Sequence, residues 1–462
     1  MSSVSARLER LPFGRFQFKI LLMGGVGYMF EAVDAAIVAF ILPALRQQWA
    51  LDSIQTGLLG SSTYVGFFFG ALIAGTIGDR YGRRNVMMWA LAAFCICSLA
   101  SAFIQDWYGF FALRFLGGVG MGAEAAIIAP FLSEFISSKK RGSFTASLAG
   151  FFSFGFVVAA LIGRFIVPIN EDGWRYALVI CALPVVFVLW WRRSLYESPR
   201  WLESRGRKDE ANAIVTIIEK RYYTDHGIEL TTPQDVKHIQ APAPQSFIDN
   251  FKILFSPQLR RVTIMTWALW LSVIFCTYAF FIWIPSLLVD RGMTITQSFS
   301  VSIWIYVAQI PGYFSAAWLC EKWGRQYTIV VYMLIAALSG IGLALAQTDV
   351  MVIAMSIILS FFINGVNAGE YAYTPEVFPT RVRATGVGLA SAIGRIGAIA
   401  APTLVGFIYP IAGLFGVFGM TTTILILGAL AVIFLGVPTK GRSLEEIEDA
   451  EFLNDNRQNE GA

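Results

Sequence analysis

Four ionisable residues stand where an apolar chain has least reason to carry them. Glu31 and Asp34 lie three positions apart in GYMFEAVDAAIVAF, Arg114 opens RFLGGVGMG, and Arg395 sits in SAIGRIGAIAAP. Three positions is close to one helical turn, so Glu31 and Asp34 share a face. A charge within an apolar span is costly and marks a functional site by default. Arg114 lies about seven residues into its run, roughly 10 Å deep at 1.5 Å per residue, and Asp34 sits at a matching depth in its own run. A buried carboxylate is disfavoured by burial and favoured by a nearby cation, so separating such a pair binds a proton and rejoining it releases one. The alternative is a permanent bridge between two helices.

Arg395 falls near the middle of its run, flanked by Gly394 and Gly397. A guanidinium binds a carboxylate bidentately, which makes Arg395 a candidate receptor for an organic anion. Pairing with a protein acid, Glu31 or Glu370, is the alternative. Aromatic and amide side chains in neighbouring runs, Tyr371, Tyr278, Trp270, Asn364 and Asn367, offer ring faces and hydrogen bonds to a flat ligand. Glu124 and Glu370, toward the inner ends of their runs, fit interhelix hydrogen bonding as well as any ligand role.

The elements that position these residues follow from composition. The chain has 462 residues, 56% hydrophobic and 14% charged, with mean hydropathy +0.61. A soluble domain carries about 25% charged residues, and a bilayer span needs about 20 mostly apolar ones. Runs of that kind fall near 19–43, 53–77, 86–105, 107–131, 143–167, 174–191, 262–287, 297–319, 328–346, 350–374, 384–409 and 411–436. The expected fold class is an all-α membrane protein with twelve transmembrane helices, because each span must satisfy its own backbone hydrogen bonds in lipid. With a cytoplasmic N-terminus, most of the 35 Lys and Arg residues fall on the inner side, which places both termini in the cytoplasm. The first nineteen residues read as the lead into an uncleaved first helix.

Cys95, Cys97, Cys181, Cys276 and Cys320 lie in or beside spans and suggest packing, not disulfides or metal ligands. His226 and His238 have no ligand-like company. No nucleophile–base pair, phosphate loop or metal set is present, so no enzyme, cofactor or nucleic-acid partner is expected.

One charged motif occurs nearly twice. GDRYGRR, with Asp79, Arg80, Gly82 and Arg83, finds a counterpart in EKWGRQ, with Glu321 and Arg325. SEFISSKKRG supplies Glu134 and Arg141, and PEVFPTRVRATG supplies Glu376 and Arg383. A single offset relates Asp79 to Glu321, Glu134 to Glu376 and Arg141 to Arg383. The organisation expected is two six-helix halves, 1–191 and 262–436, in parallel repeat. A cytoplasmic linker with short amphipathic helices, 192–261, and a cytoplasmic tail, 437–462, complete it. In the linker, Ala211, Ile214, Val215 and Ile218 follow helical spacing, SFIDNFKILF suggests a second surface helix, and the tail offers a capping box at Ser443 and Glu446. An acid, glycines and arginines at fixed spacing suit a latch made in one conformation and broken in another. Arginines that merely fix orientation are the alternative.

These motifs resemble those of the major facilitator superfamily. GDRYGRR is similar to its signature loop and RFLGGVGMG to its span 4 motif. ESPRWLESRGR, with Tyr196 where a proline is usual, PEVFPTRVRATG and VPTKGRSLEEI resemble the sugar-porter branch, and the likeness covers nearly the whole chain. The Gly-Pro motif of drug antiporters is absent from SLAGFFSFGFVVAALIG. In proton-coupled sugar porters the span 1 acid and span 4 arginine form the coupling pair, which the resemblance carries to Asp34 and Arg114, with Glu31 beside them. The sugar porters' Gln-Gln and Asn of span 7 are replaced by Ser272, Val273 and Tyr278. SARLERLPFGRFQFK, GYMFEAVDAAIVAF and the span 11 arginine resemble bacterial niacin transporters, near the synaptic-vesicle-protein branch. The resemblance implies a proton symporter of the inner membrane, monomeric, that imports a small aromatic carboxylate such as nicotinate. Its partners are then H+, the organic anion and the bilayer. Another organic acid of benzoate type, a sugar, or a non-transporting sensor are the alternatives.

Overall fold

Apolar runs too long for a soluble core become helices, and polar or glycine-bearing joints end them. A computed structural model of the chain describes residues 4–227, 247–379 and 382–439. The described residues form helices and their connections, with no strand. Nine of these helices are long and apolar enough to cross a membrane. The tail with Ser443 and Glu446, His238, and the side chains of Asp79, Arg141 and His226 lie outside the described residues.

Two compact units divide the chain, one of Met1–Ala50 with Ser62–Ile239, the other of Leu51–Ser61 with Gln240–Ala462. The first contains α1 (Val4–Glu9), α2 (Arg15–Gln48), most of α3 (Ser53–Tyr81), α4 (Arg83–Ser101), α5 (Trp107–Ser133), α6 (Ser138–Ile166), α7 (Gly173–Arg192), α8 (Pro199–Ser204) and α9 (Lys208–His226). Helix α2 packs on α6 and α7, and α4 on α5. The Asp106 carboxylate caps α5 by accepting the Gly109 N–H at 2.8 Å.

Glycines set the spacing of α3 and α5. A Cβ on Gly118 would strike the Thr63 carbonyl, and one on Gly66 the Phe115 carbonyl, so the two backbones meet directly. Gly120 of RFLGGVGMG faces α4 in the same way, against the Ala90 carbonyl and Phe94.

As its apolar spacing predicts, α9 is amphipathic. Ala211, Val215 and Ile218 are buried with Val4, Leu8 and Leu11 of the N-terminal segment and with Leu202 of α8. Burial of an Ile or Val side chain contributes about 1.5–3 kcal/mol, which fixes this otherwise polar helix in place.

The second unit contains the start of α3, α10 (Phe247–Leu254), α11 (Arg260–Asp290), α12 (Ile295–Val307), α13 (Gln309–Trp323), α14 (Arg325–Ala344), α15 (Asp349–Glu376) and α16 (Arg383–Leu435). Helix α11 lies along α16, and α14 packs on both α15 and α16. Ser61 of α3 donates to the Ile399 carbonyl at 2.8 Å, and a Cβ on Gly57 would strike the Pro402 carbonyl. The apolar run 297–319 is divided between α12 and α13 at Ala308, three residues before Pro311, whose ring cannot accommodate an unbroken ladder. The runs 384–409 and 411–436 share α16, and the backbone turns at Gly413, φ 56° and ψ −151°.

The loops between α3 and α4 and between α13 and α14 each turn on one glycine with positive φ: Gly82 at 94° and Gly324 at 99°. These two positions stand at the same offset as Asp79 and Glu321.

Candidate functional site

In the first unit, α2 and α5 bring the expected ion pair together. Arg114 Nη2 lies 2.8 Å from Asp34 Oδ2 and Nη1 donates to Oδ1 at 3.3 Å, a two-point contact. Nη2 also donates to the Asp34 carbonyl at 3.0 Å, and Nε to Thr63 Oγ1 at 3.3 Å. Ser98 of α4 donates its hydroxyl to Asp34 Oδ1. Both charged residues are 2% exposed. Glu31, one turn before Asp34, is equally buried.

The glycine contact of α3 with α5 gives Thr63 its reach to Arg114. Ser98 and Thr63 were not singled out from sequence, because a small hydroxyl in a span usually returns to its own helix carbonyl. Chemically, the site sets a guanidinium and one serine hydroxyl against a single carboxyl group. Removal of Arg114 from Asp34 would leave the side-chain carboxyl group one hydrogen bond, that of the Ser98 hydroxyl.

In the second unit, α11, α15 and α16 bring the aromatic residues and Arg395 together. Trp270 and Tyr371 meet edge to face with centroids 4.8 Å apart. The Trp270 indole N–H donates to Thr374 Oγ1 at 2.8 Å, and the Thr374 hydroxyl donates to the Glu370 carbonyl at 2.7 Å. Tyr371 is 54% exposed and interacts electrostatically with Arg395, Glu370 and Tyr278. Gly394 faces Trp270, and a Cβ on Gly397 would crowd the Leu271 carbonyl, so α16 presses against α11 on both sides of Arg395.

Three residues expected to meet a ligand are buried. Trp270 stands behind Tyr371 and braces it. Asn364 donates to the Ser360 carbonyl at 2.9 Å, and Asn367 to Thr277 Oγ1 at 3.3 Å. Of the two acids that could pair with Arg395, Glu370 makes no hydrogen bond through either carboxyl oxygen among the described residues, so within them it is neither that partner nor an interhelix hydrogen-bonding group.

The loop motifs form two similar clusters. In the first unit Arg83 pairs with Glu134, which also accepts from the Ser198 hydroxyl. Glu197 accepts from the Arg84 and Ser198 backbone N–H groups at 3.2 and 3.0 Å, and Gly82 packs against it. In the second unit Arg325 bridges Glu321 at 2.8 Å and Glu376 at 3.0 Å, while Arg383 Nε donates to the Phe378 carbonyl at 3.2 Å. Arg80 is exposed, its guanidinium 5.3 Å from the Tyr81 ring.

A further clamp had no sequence motif. Arg7 and Arg10 of the N-terminal segment reach Glu219 of α9 at 2.6 and 2.7 Å. Burial pushes the Glu219 carboxyl up, but the hydrogen bonds and charges of the two arginines outweigh it and hold the group below the usual carboxylate range. Among the described residues, no group of His, Cys, Asp or Glu is arranged to hold a metal ion.

Residues 16–450 match the family described as "Sugar (and other) transporter". The chain is 36% identical over 443 residues to the "Niacin transporter NiaP" of Acinetobacter baylyi (strain ATCC 33305 / BD413 / ADP1), covering 96% of this chain and 99% of the relative. It is 34% identical over 430 residues to the "Putative niacin/nicotinamide transporter NiaP" of Bacillus subtilis (strain 168), covering 93% and 98%. Among solved structures, the fold is similar to that of the partially occluded inward open conformation of the xylose transporter XylE from E. coli. That likeness has TM-score 0.74 and 18% identity, and covers 93% of this chain and 100% of the other. Matched over nearly its whole length, the chain belongs to the sugar (and other) transporter family of the major facilitator superfamily, and is a multi-pass membrane transporter, not an enzyme.

Proposed function

We propose that the chain is a proton symporter that imports nicotinate across the inner membrane by alternating access. The observation that carries this reading is the end-to-end identity with a niacin transporter, 36% over 443 residues. The grouping of Arg395 with Tyr371 and Tyr278 supports it, because a cation beside aromatic faces suits a flat ring that bears a carboxylate. Trp270 braces Tyr371, and Asn364 and Asn367 shape α15. The expected hydroxyl-binding wall of a sugar carrier is missing, and Ser272 donates to its own helix at the Leu269 carbonyl.

In this reading twelve spans form two six-helix halves, 1–191 and 262–436, with the 192–261 linker, the 437–462 tail and both termini in the cytoplasm. The transporter acts as a monomer. Asp34 carries the coupled proton, Arg114 displaces it, and Glu31 adjoins the pair. The clusters of Asp79, Arg80, Gly82, Arg83, Glu134 and Arg141, and of Glu321, Arg325, Glu376 and Arg383, act as cytoplasmic latches that open and close with the cycle.

The test is uptake of labelled nicotinate into liposomes that contain the purified full chain, with and without an inward proton gradient. Gradient-driven accumulation, competed by nicotinate more strongly than by nicotinamide, benzoate or xylose, is the expected result. Competition by benzoate alone would reassign the substrate to another aromatic acid, and competition by xylose would reassign it to a sugar. Binding without uptake would indicate a sensor. Comparison of acid and amide matters here, since the B. subtilis relative is described for both niacin and nicotinamide.

A further inference from the structure

Glu370 lies in the last third of α15, at 0% exposure, and neither carboxyl oxygen has a hydrogen-bond partner among the described residues. Asp34, the other acid placed in detail, has a guanidinium and a hydroxyl on it.

Among the described residues, the helices around α15 supply no hydrogen-bond partner for Glu370. Tyr313 of α13 and the adjacent Tyr371 interact with it electrostatically, and Tyr278 of α11 interacts with both tyrosines. Tyr306 of α12 donates instead to the Phe281 carbonyl at 2.9 Å, and the Tyr332 hydroxyl of α14 pairs with Ser315 Oγ at 2.9 Å. Cys320 of α13 lies against Gly369, and Arg395 of α16 acts on Tyr371. An ionised carboxylate at 0% exposure would have no hydrogen-bond donor or bonded cation among the described residues, a condition that proteins relieve by protonation.

Given the proton-coupled transport proposed above, we infer that Glu370 is a second proton-binding site, separate from Asp34–Arg114 and loaded as a carboxylic acid in this structure. Its neighbour Tyr371 is half-exposed, and consecutive helix positions differ by about 100° of rotation. A roll of α15 by that amount exchanges which of the two meets open space. Water then reaches Glu370, its O–H bond breaks, the proton passes to water, and a carboxylate remains until the reverse roll and reprotonation. Tyr371 belongs to the proposed ring-binding site, so the roll links proton release to the grip on the ligand.

The test compares wild type, Glu370→Gln and Asp34→Asn as full chains in lipid vesicles. Infrared spectra near neutral pH should show a carboxylic-acid C=O band that Glu370→Gln removes and Asp34→Asn keeps. A wild type with no such band, or a band unchanged in Glu370→Gln, overturns the inference. Gln has the size and neutrality of the protonated acid, so failure of Glu370→Gln to fold would also count against a neutral Glu370. Gradient-driven accumulation of labelled nicotinate should fall about tenfold or more in Glu370→Gln, while nicotinate still raises its melting temperature. Accumulation equal to wild type would make Glu370 a fixed structural acid and overturn the inference. Should wild type ignore nicotinate altogether, the substrate reading fails, and the infrared comparison alone decides Glu370.

Discussion

Replacement of Arg114 by Gln tests how much the buried pair contributes. Two unit charges 2.8 Å apart attract by about 6 kcal/mol at an effective dielectric constant of about 20, before the cost of removing both from water is counted. The side chains are 2% and 3% exposed, so that cost offsets much of the attraction. Deletion of one partner is different, because it strands the other. Arg114→Gln should therefore lower the unfolding free energy by about 3–5 kcal/mol. Asp34→Asn strands the guanidinium, though Thr63 and the Asp34 backbone carbonyl remain to it, and should cost about as much. The double variant strands nothing and should cost less than the two single losses combined. Denaturant unfolding in mixed micelles, run as a double-mutant cycle, measures the difference. Strictly additive losses would mean that the two groups do not stabilise one another, and the proposed exchange between guanidinium and proton at Asp34 would lose its basis.

Arg395→Ala should weaken nicotinate binding by about tenfold or much more, the scale of one lost charged contact, and affect nicotinamide less; calorimetric titration of both ligands on wild type and variant checks it. Equal affinity of wild type for acid and amide would remove Arg395 as the anion receptor. Gly118→Ala drives a methyl group into the Thr63 carbonyl and should cost about 1–3 kcal/mol, with reduced uptake, measured by melting and by transport. Glu219 has a lowered folded-state pKa, so its contribution is complete above the ordinary carboxylate value of 4.5 and is lost as pH falls through the folded value. Glu219→Gln should therefore destabilise the chain at neutral pH and flatten the acid limb of its melting curve below about pH 4.5; parallel acid limbs would refute the clamp.

Much of the core of the first unit was legible because depth can be counted along a helix. Asp34 and Arg114 stood at matching distances from the ends of their runs, and the ion pair follows. The helix α9 was equally legible from four apolar positions. Ser98 and Thr63 were not, since nothing in the spacing of a serine says which helix its hydroxyl serves. Arg7 and Arg10 on Glu219 escaped notice because their partner lies some 200 positions away in a charge-rich segment. Trp270 illustrates the limit for aromatics. Its type suits a ligand wall or a packing brace, and only the edge contact with Tyr371 and the Thr374 bond select the brace. The break at Gly413 falls near the boundary between the runs 384–409 and 411–436, whereas the break at Ala308 falls inside the run 297–319, where hydropathy gives no sign of it and Pro311 is the sequence sign.

The glycines Gly82 and Gly324 share nearly one backbone conformation, φ 94° and ψ 142° against φ 99° and ψ 153°. Around them the side chains have diverged: Asp79, Arg80 and Tyr81 stand opposite Glu321, Lys322 and Trp323. At such positive φ any residue with a Cβ is strained, so each loop accepts changes of charge and size around its glycine but not a replacement of the glycine itself. The two loops thus have in common a chain direction that only glycine adopts easily, more closely than they share any charged letter of the motif.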